Sequence, residues 1–238
     1  MPAELEAPHS WDEIYVARGD DVEPARPVLT GDVFELREQN TGAETVPGGD
    51  PSRLLILQHP CALRTNGVDL VPRILVAEVE NTSLLPKDKW NGSFRVMPLP
   101  HLAEGDTGTP IHAAAKFNHV LVAPPSSLSR YTRVACLSEV GVNLLLQRWV
   151  HHNSRVVIPT YQYSQVTSGP YAEADLTEEW VIQRVQQGVA PAAATNECHE
   201  FLRSRPTPGG PTRQEALEEP QRRSEVRRAA REHLASMQ

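Results

Sequence analysis

The chain has 238 residues, 39% hydrophobic and 22% charged, with a formal net charge of −7; this supports a folded core and excludes indiscriminate nucleic-acid binding, which needs a positive face. Three cysteines far apart in sequence, Cys61, Cys136 and Cys198, exclude a disulfide framework. No apolar run approaches the roughly 20 residues that cross a bilayer, and the acidic start MPAELEAPHSWDEIY lacks the basic-then-apolar pattern of a secretion signal, so a cytoplasmic location away from membranes is expected.

Residues 1–27 carry Glu4, Glu6, Asp12, Glu13, Asp20, Asp21 and Glu23 against Arg18 and Arg26. They read as a mobile acidic arm with a docking patch at Trp11, Ile14 and Tyr15, closed by Pro24 and Pro27. From Val28 the pattern becomes strand-like, with a turn at Gly31 before Asp32-Val33-Phe34-Glu35-Leu36. Residues 38–52 are crowded with Gly, Pro, Asn and Asp and predict a long loop of the functional kind.

RLLILQHPCAL is a continuous apolar run too short for a typical helix and closed by Pro60, as expected of a buried strand. Asn66-Gly67 gives a tight-turn signal. RILVAEVE, SFRVMPLP and NHVLVAPP are further strand candidates, the last two stopped by proline. Five strands with irregular connections predict a small barrel rather than alternating βαβ units.

Helices are expected late. Ser138 is a plausible N-cap for a helix to about His152, with Val140, Leu144, Leu145 and Trp149 on its apolar face. A second is predicted from Thr177, favoured by Glu178 and Glu179 at its positive end and stopped at Gly188. The chain therefore divides into the arm (1–27), a barrel domain with C-terminal helices (28–188) and a Pro/Arg-rich tail (189–238), partly helical or disordered. Within the tail, Thr212 and Glu215 form a capping-box pattern and SEVRRAAREHLASM reads as a terminal helix.

The order of these pieces resembles the MazF/PemK family of ribonuclease toxins, which share a small SH3-like barrel. The likeness rests on Gly31-Asp32-Val33-Phe34, on Gly42-Ala43-Glu44 followed by Pro47-Gly48 and Ser52-Arg53-Leu54-Leu55-Ile56-Leu57, on Ile74–Val79 with Asn81-Thr82-Ser83, and on His119–Val122 through Arg130 and Arg133 to Leu137-Ser138. It spans about half the chain. The family's Arg-Pro pair is Arg53-Leu54 here, His59-Pro60-Cys61 stands where many relatives carry a serine turn, and neither arm nor tail has a counterpart in the short toxins. The implied fold is β-rich α+β, an SH3-like barrel followed by helices and an extended C-terminal tail, in a divergent member.

What the resemblance implies chemically is RNA cleavage without a metal or other cofactor, by attack of the RNA's own 2′-hydroxyl. Such a step needs a cation on the phosphorane-like charge and a group that moves a proton. Arg53 stands at the cation's place, Thr82 and Ser83 as hydrogen-bond donors to the phosphate, and His59 as a proton shuttle. Each has a plainer use: a surface ion pair for Arg53, turn hydrogen bonds for Thr82 and Ser83, a turn position for His59. Lys87, Lys89, Trp90 and Arg95 combine basic and aromatic character in the manner of a single-strand clamp, or else form a solvated loop over the barrel end. Arg148, His151, His152 and Arg155 are explained by a helix C-terminus. His59, Cys61, Cys136, His151 and His152 could supply zinc ligands, but their spacing matches no common knuckle.

The leading expectation is an RNA-binding protein of this type, with or without endoribonuclease activity, in a bacterial toxin or defence setting. The alternative is a non-catalytic adaptor that docks proteins through arm or tail. A homodimer, as the toxins form, is a further expectation.

Overall fold

A computed structural model describes residues 4–37, 51–65, 68–105 and 108–237. The predicted loop 38–52, but for its last two residues, and the Asn66-Gly67 turn lie outside them. The chain falls into two compact units, residues 1–22 with 29–164 and residues 23–28 with 165–238.

The first unit is a seven-stranded antiparallel sheet: β1 (Tyr15–Arg18), β2 (Asp32–Leu36), β3 (Arg53–Ile56), β4 (Ile74–Asn81), β5 (Val96–Glu104), β6 (Pro110–Ala123) and β7 (Tyr131–Leu137). Their order is β1-β7-β2-β3-β4-β6-β5. The sheet curls into a nearly closed barrel. At its seam the Tyr15 hydroxyl donates to the Pro100 carbonyl at 2.9 Å and Arg18 Nη1 to the His101 carbonyl at 2.7 Å, so side chains span the gap between β1 and β5. Pro98 and Pro100 lie in β5, where a missing N–H is tolerated because the strand ends the sheet. The five strands expected from the sequence are present as β2 to β6; β1 and β7 are additional.

Val33, Leu55, Ile56, Val76, Met97, Leu99 and Ala135 are fully buried and build the barrel core. Gly31 adopts φ +86°, and a Cβ there would meet Val142 Cγ2 at 2.8 Å, so only glycine passes this turn. Asp32, next in the chain, ties β2 to β7 by accepting from Arg133 Nη1 at 2.9 Å and from the Leu29 amide at 3.0 Å. Burial pushes the Asp32 carboxyl above its ordinary range, and Arg133 opposes that.

Helix α1 (Glu139–Ser154) follows β7, and Ser138 caps it as predicted, its hydroxyl accepting from the Gly141 amide. Residues 4–22 are not a mobile arm. Leu5, Ile14 and Tyr15 are buried, the Ser138 amide donates to the Ile14 carbonyl at 2.8 Å, and the Glu6 carboxylate accepts from Gln147 and Thr160. Apolar residues in an acidic stretch supply burial that outweighs its charge.

The second unit is helical. Helix α2 (Thr160–Gln186) begins well before the predicted Thr177 and carries Pro170 within it; its residues from 165 onward belong here. It is followed by α3 (Pro191–Arg203), α4 (Arg213–Glu218) and α5 (Arg223–Ser236). Gly188, at φ +86°, ends α2 as expected, with Val189 donating back to the Arg184 carbonyl. The segment predicted as a tail, partly helical or disordered, shares a core with α2: Phe201, Leu217, Val226 and Leu234 cluster with Leu176 and Trp180. Arg184 and Glu197 form a two-point ion pair at 2.7 and 3.0 Å. The Thr212–Glu215 capping box is formed.

Candidate functional site

The alternation of strand side chains sorts the predicted residues onto different faces. Arg53 opens β3 opposite Glu35, and its Nε donates to the Glu35 carboxylate at 2.6 Å while Nη1 donates to Asn81 Oδ1 at 2.5 Å. Thr82 follows Asn81 and turns the other way. With Ser83 it lines a cleft of about 200 Å³ walled by Ser93, Val96, Pro98, His112 and Lys116, among others. Arg53 is not in that lining. The expected meeting of the guanidinium with the two hydroxyls is therefore replaced by an ion pair on one side and a cleft on the other.

Even-numbered residues of β5 and β6, among them Val96, Pro98, His112 and Lys116, line the cleft together because β6 pairs with β5 in antiparallel register, Pro98 opposite Ala114. The Thr82 amide donates to the His112 carbonyl at 2.9 Å and extends the ladder one step past β4. Among the described residues, the Thr82, Ser83 and Ser93 hydroxyls have no protein hydrogen-bond partner, which leaves several donors facing one small space. Lys116 Nζ lies 3.2 Å from Glu80 and supplies the cation.

His112 was not singled out by the sequence. Its Nδ1 accepts from the His101 amide at 3.0 Å, which places the proton of the neutral ring on Nε2. His101 holds φ +51° at the break in register between β5 and β6, and this aims its amide at the ring. Burial, and then the neighbouring His101, lower the pKa of His112. It is thus a neutral hydrogen-bond donor rather than a base. Nothing in the local sequence signals this, since the pairing depends on a bulge.

His59 lies elsewhere, capping the short 3-10 turn Pro60–Ala62, with Nδ1 accepting from the Cys61 amide at 3.3 Å. Burial lowers its pKa. A cap is occupied by its own turn, so the proton-shuttle expectation has no geometric support. Trp90 corrects the clamp expectation: it is fully buried, with Arg148 4.7 Å above its ring and Trp11 at 5.6 Å. No base can stack on it there. Lys87 donates to the His9 carbonyl and lies 5.0 Å over the Trp11 ring, and Lys89 pairs with Asp88 at 3.4 Å. Arg95 lies 5.6 Å from the Phe94 ring centre. Arg148 is not a surface cation; it is buried, donates to the Glu6 carbonyl at 2.5 Å, and burial lowers its pKa to about 10.

The residues weighed as zinc ligands do not converge. Among the described residues, the one group of three metal-type donors within 4.8 Å of each other is Glu78, Glu80 and His119. His119 Nδ1 lies 3.2 Å from Glu78, and Lys116 pairs with Glu80 beside it at 3.2 Å, so each carboxylate already has a partner within the protein. No helix of the described chain is long and apolar enough to cross a membrane.

Comparison with protein-family models gives no match, and comparison with curated proteins gives none either.

Proposed function

We propose that this chain is a MazF/PemK-like RNA-binding protein whose cleft at Thr82, Ser83, Ser93, His112 and Lys116 holds a backbone phosphate of single-stranded RNA. The observation that carries the reading is the convergence of three unpartnered hydroxyls, a neutral imidazole donor and a lysine in one cleft on an antiparallel barrel. Phosphate oxygens accept hydrogen bonds and carry negative charge, and these groups offer donors and a cation. The volume falls below the roughly 300 Å³ at which small-molecule pockets begin, which suits one unit of a longer strand. Apolar Val96, Pro98 and Leu85 leave room for the sugar.

Binding is better supported than cutting. His112 keeps its lone pair on the His101 amide, and Arg53 is engaged by Glu35 and Asn81, so among the described residues of the lining neither a base nor a second cation stands beside Lys116, which is itself paired with Glu80. A bacterial, cytoplasmic toxin or defence role is the setting that the sequence resemblance gives to such a protein, and growth arrest on expression is its cellular readout.

The test is incubation of the full chain with a long single-stranded RNA in EDTA, followed by mobility shift and by gel analysis of the RNA. The reading expects a shifted, intact RNA and a shift lost in Lys116→Met. RNA cleavage abolished by Arg53→Ala would instead establish a metal-independent endoribonuclease. Absence of both binding and cleavage would leave the barrel as a protein-docking adaptor.

A further inference from the structure

Next to the cleft, the chain leaves Ser93 and enters a group of aromatic and basic side chains. Phe94 is half-buried, with Arg155 Cζ 4.7 Å and Arg95 Cζ 5.6 Å from its ring centre and the His151 ring edge-on at 5.5 Å. Both arginines are exposed, and neither has a carboxylate within 4.0 Å among the described residues. In a chain with 30 acidic side chains, two neighbouring arginines without an acidic partner form a local positive spot that favours an anion. Alongside, Trp149 stacks on His152 at 6.0 Å and 11°, and Phe117 meets both edge-on.

Arg155 sits where folding alone favours glycine. It is the C-cap of α1 at φ +62°, ψ +12°, with its amide donating to the His151 carbonyl at 2.9 Å. A left-handed conformation is costly for any residue with a Cβ, and glycine is the common occupant of such a helix end. A cation at a helix C-terminus recovers part of that cost. It does not explain why the guanidinium lies over an aromatic ring with a second arginine beside it.

We infer that Phe94, Arg95 and Arg155 form a platform on which a base of single-stranded RNA stacks while the two guanidiniums hold its flanking phosphates. Aromatic faces with interleaved arginines are the chemistry by which single strands are held without sequence preference. The platform adjoins the cleft through Ser93, so one strand can occupy both. The inference rests on the RNA reading of the cleft.

The experiment is fluorescence anisotropy of a labelled single-stranded RNA 12-mer with the full chain, across a salt series, for wild type, Phe94→Leu, Arg155→Gly and Lys116→Met. Phe94→Leu is expected to weaken binding about fivefold or more, the low end for loss of one stacked base. Arg155→Gly is expected to flatten the slope of log affinity against log salt by about 0.7, one single-strand phosphate contact, while its thermal midpoint stays equal or rises. That last readout separates ligand binding from helix capping, which makes no such demand on affinity. Unchanged binding in both Phe94→Leu and Arg155→Gly, with Lys116→Met weakened, overturns the platform and leaves the cleft standing. Failure of wild type to bind overturns the cleft reading itself.

Discussion

Gly141→Ala tests whether the N-terminal segment is part of the barrel unit. At an open position inside a helix this change stabilises by about 1 kcal/mol, because alanine loses less backbone freedom. In α1 the added Cβ would fall within the van der Waals envelope of the Ile14 carbonyl oxygen, and at 3.1 Å from both the Ile14 carbonyl carbon and Leu137 Cβ. Backbone cannot swing aside as a flexible side chain can. If residues 13–15 shift to make room, the bond from the Ser138 amide to the Ile14 carbonyl at 2.8 Å is strained or lost, at about 1 kcal/mol. Overpacking adds about 1–3 kcal/mol. After subtraction of the propensity gain, the variant should be about 1–3 kcal/mol less stable. Urea unfolding followed by tryptophan fluorescence measures this, and trypsin cleavage at Arg18 should accelerate because Ile14 and Tyr15 are dislodged. A variant as stable as wild type or more so, with Arg18 cleaved no faster, would refute the docking of this segment against α1.

Two further outcomes follow from burial. Cys61 is exposed while Cys136 and Cys198 are buried, and burial pushes the Cys198 thiol up to about 12; a thiol reagent at pH 8 should modify one cysteine quickly in the native protein and all three in denaturant. His112 titrates below its ordinary value in the folded chain, so the unfolded chain binds more protons between that lowered pKa and about 6.5, and stability rises with pH across this window. Wild type should therefore lose stability relative to His112→Gln as pH falls below about 6.5, and equal pH dependence of the two in urea titrations would show that the fold does not lower the His112 pKa.

Strands built from dense apolar runs were legible: β3, β4 and β5 fall on RLLILQHPCAL, RILVAEVE and SFRVMPLP, but β5 is not stopped by proline and runs through Pro98 and Pro100 to Glu104. β7 was harder to see. Tyr131-Thr132-Arg133-Val134 carries an arginine that looks like a turn residue until Asp32, a hundred positions away, turns it into half of a buried ion pair. The start of α2 was hidden by polar residues and by Gly169-Pro170, which ordinarily end helices; here the helix runs through.

The site was legible only in part. Thr82 and Ser83 do face a cleft, but strand alternation sends Arg53 to the other side, an outcome fixed by the register of β3 on β4 rather than by any local motif. Trp90, just after two lysines in a polar stretch, gives no hint that Arg148, from a distant helix, will cover it. His112 enters the site through a bulge, and Arg155 joins Phe94 through a helix end, both long-range events.

The measurement that bears most directly on the cleft is the affinity of a short single-stranded RNA for wild type and for the double variant Thr82→Ala/Ser83→Ala, in EDTA at low salt. Loss of two donors to a charged phosphate should weaken binding at least tenfold, at about 1.5–3 kcal/mol per bond, with the RNA uncut in both samples. Equal affinity in the two proteins, or no binding by either, would contradict the account.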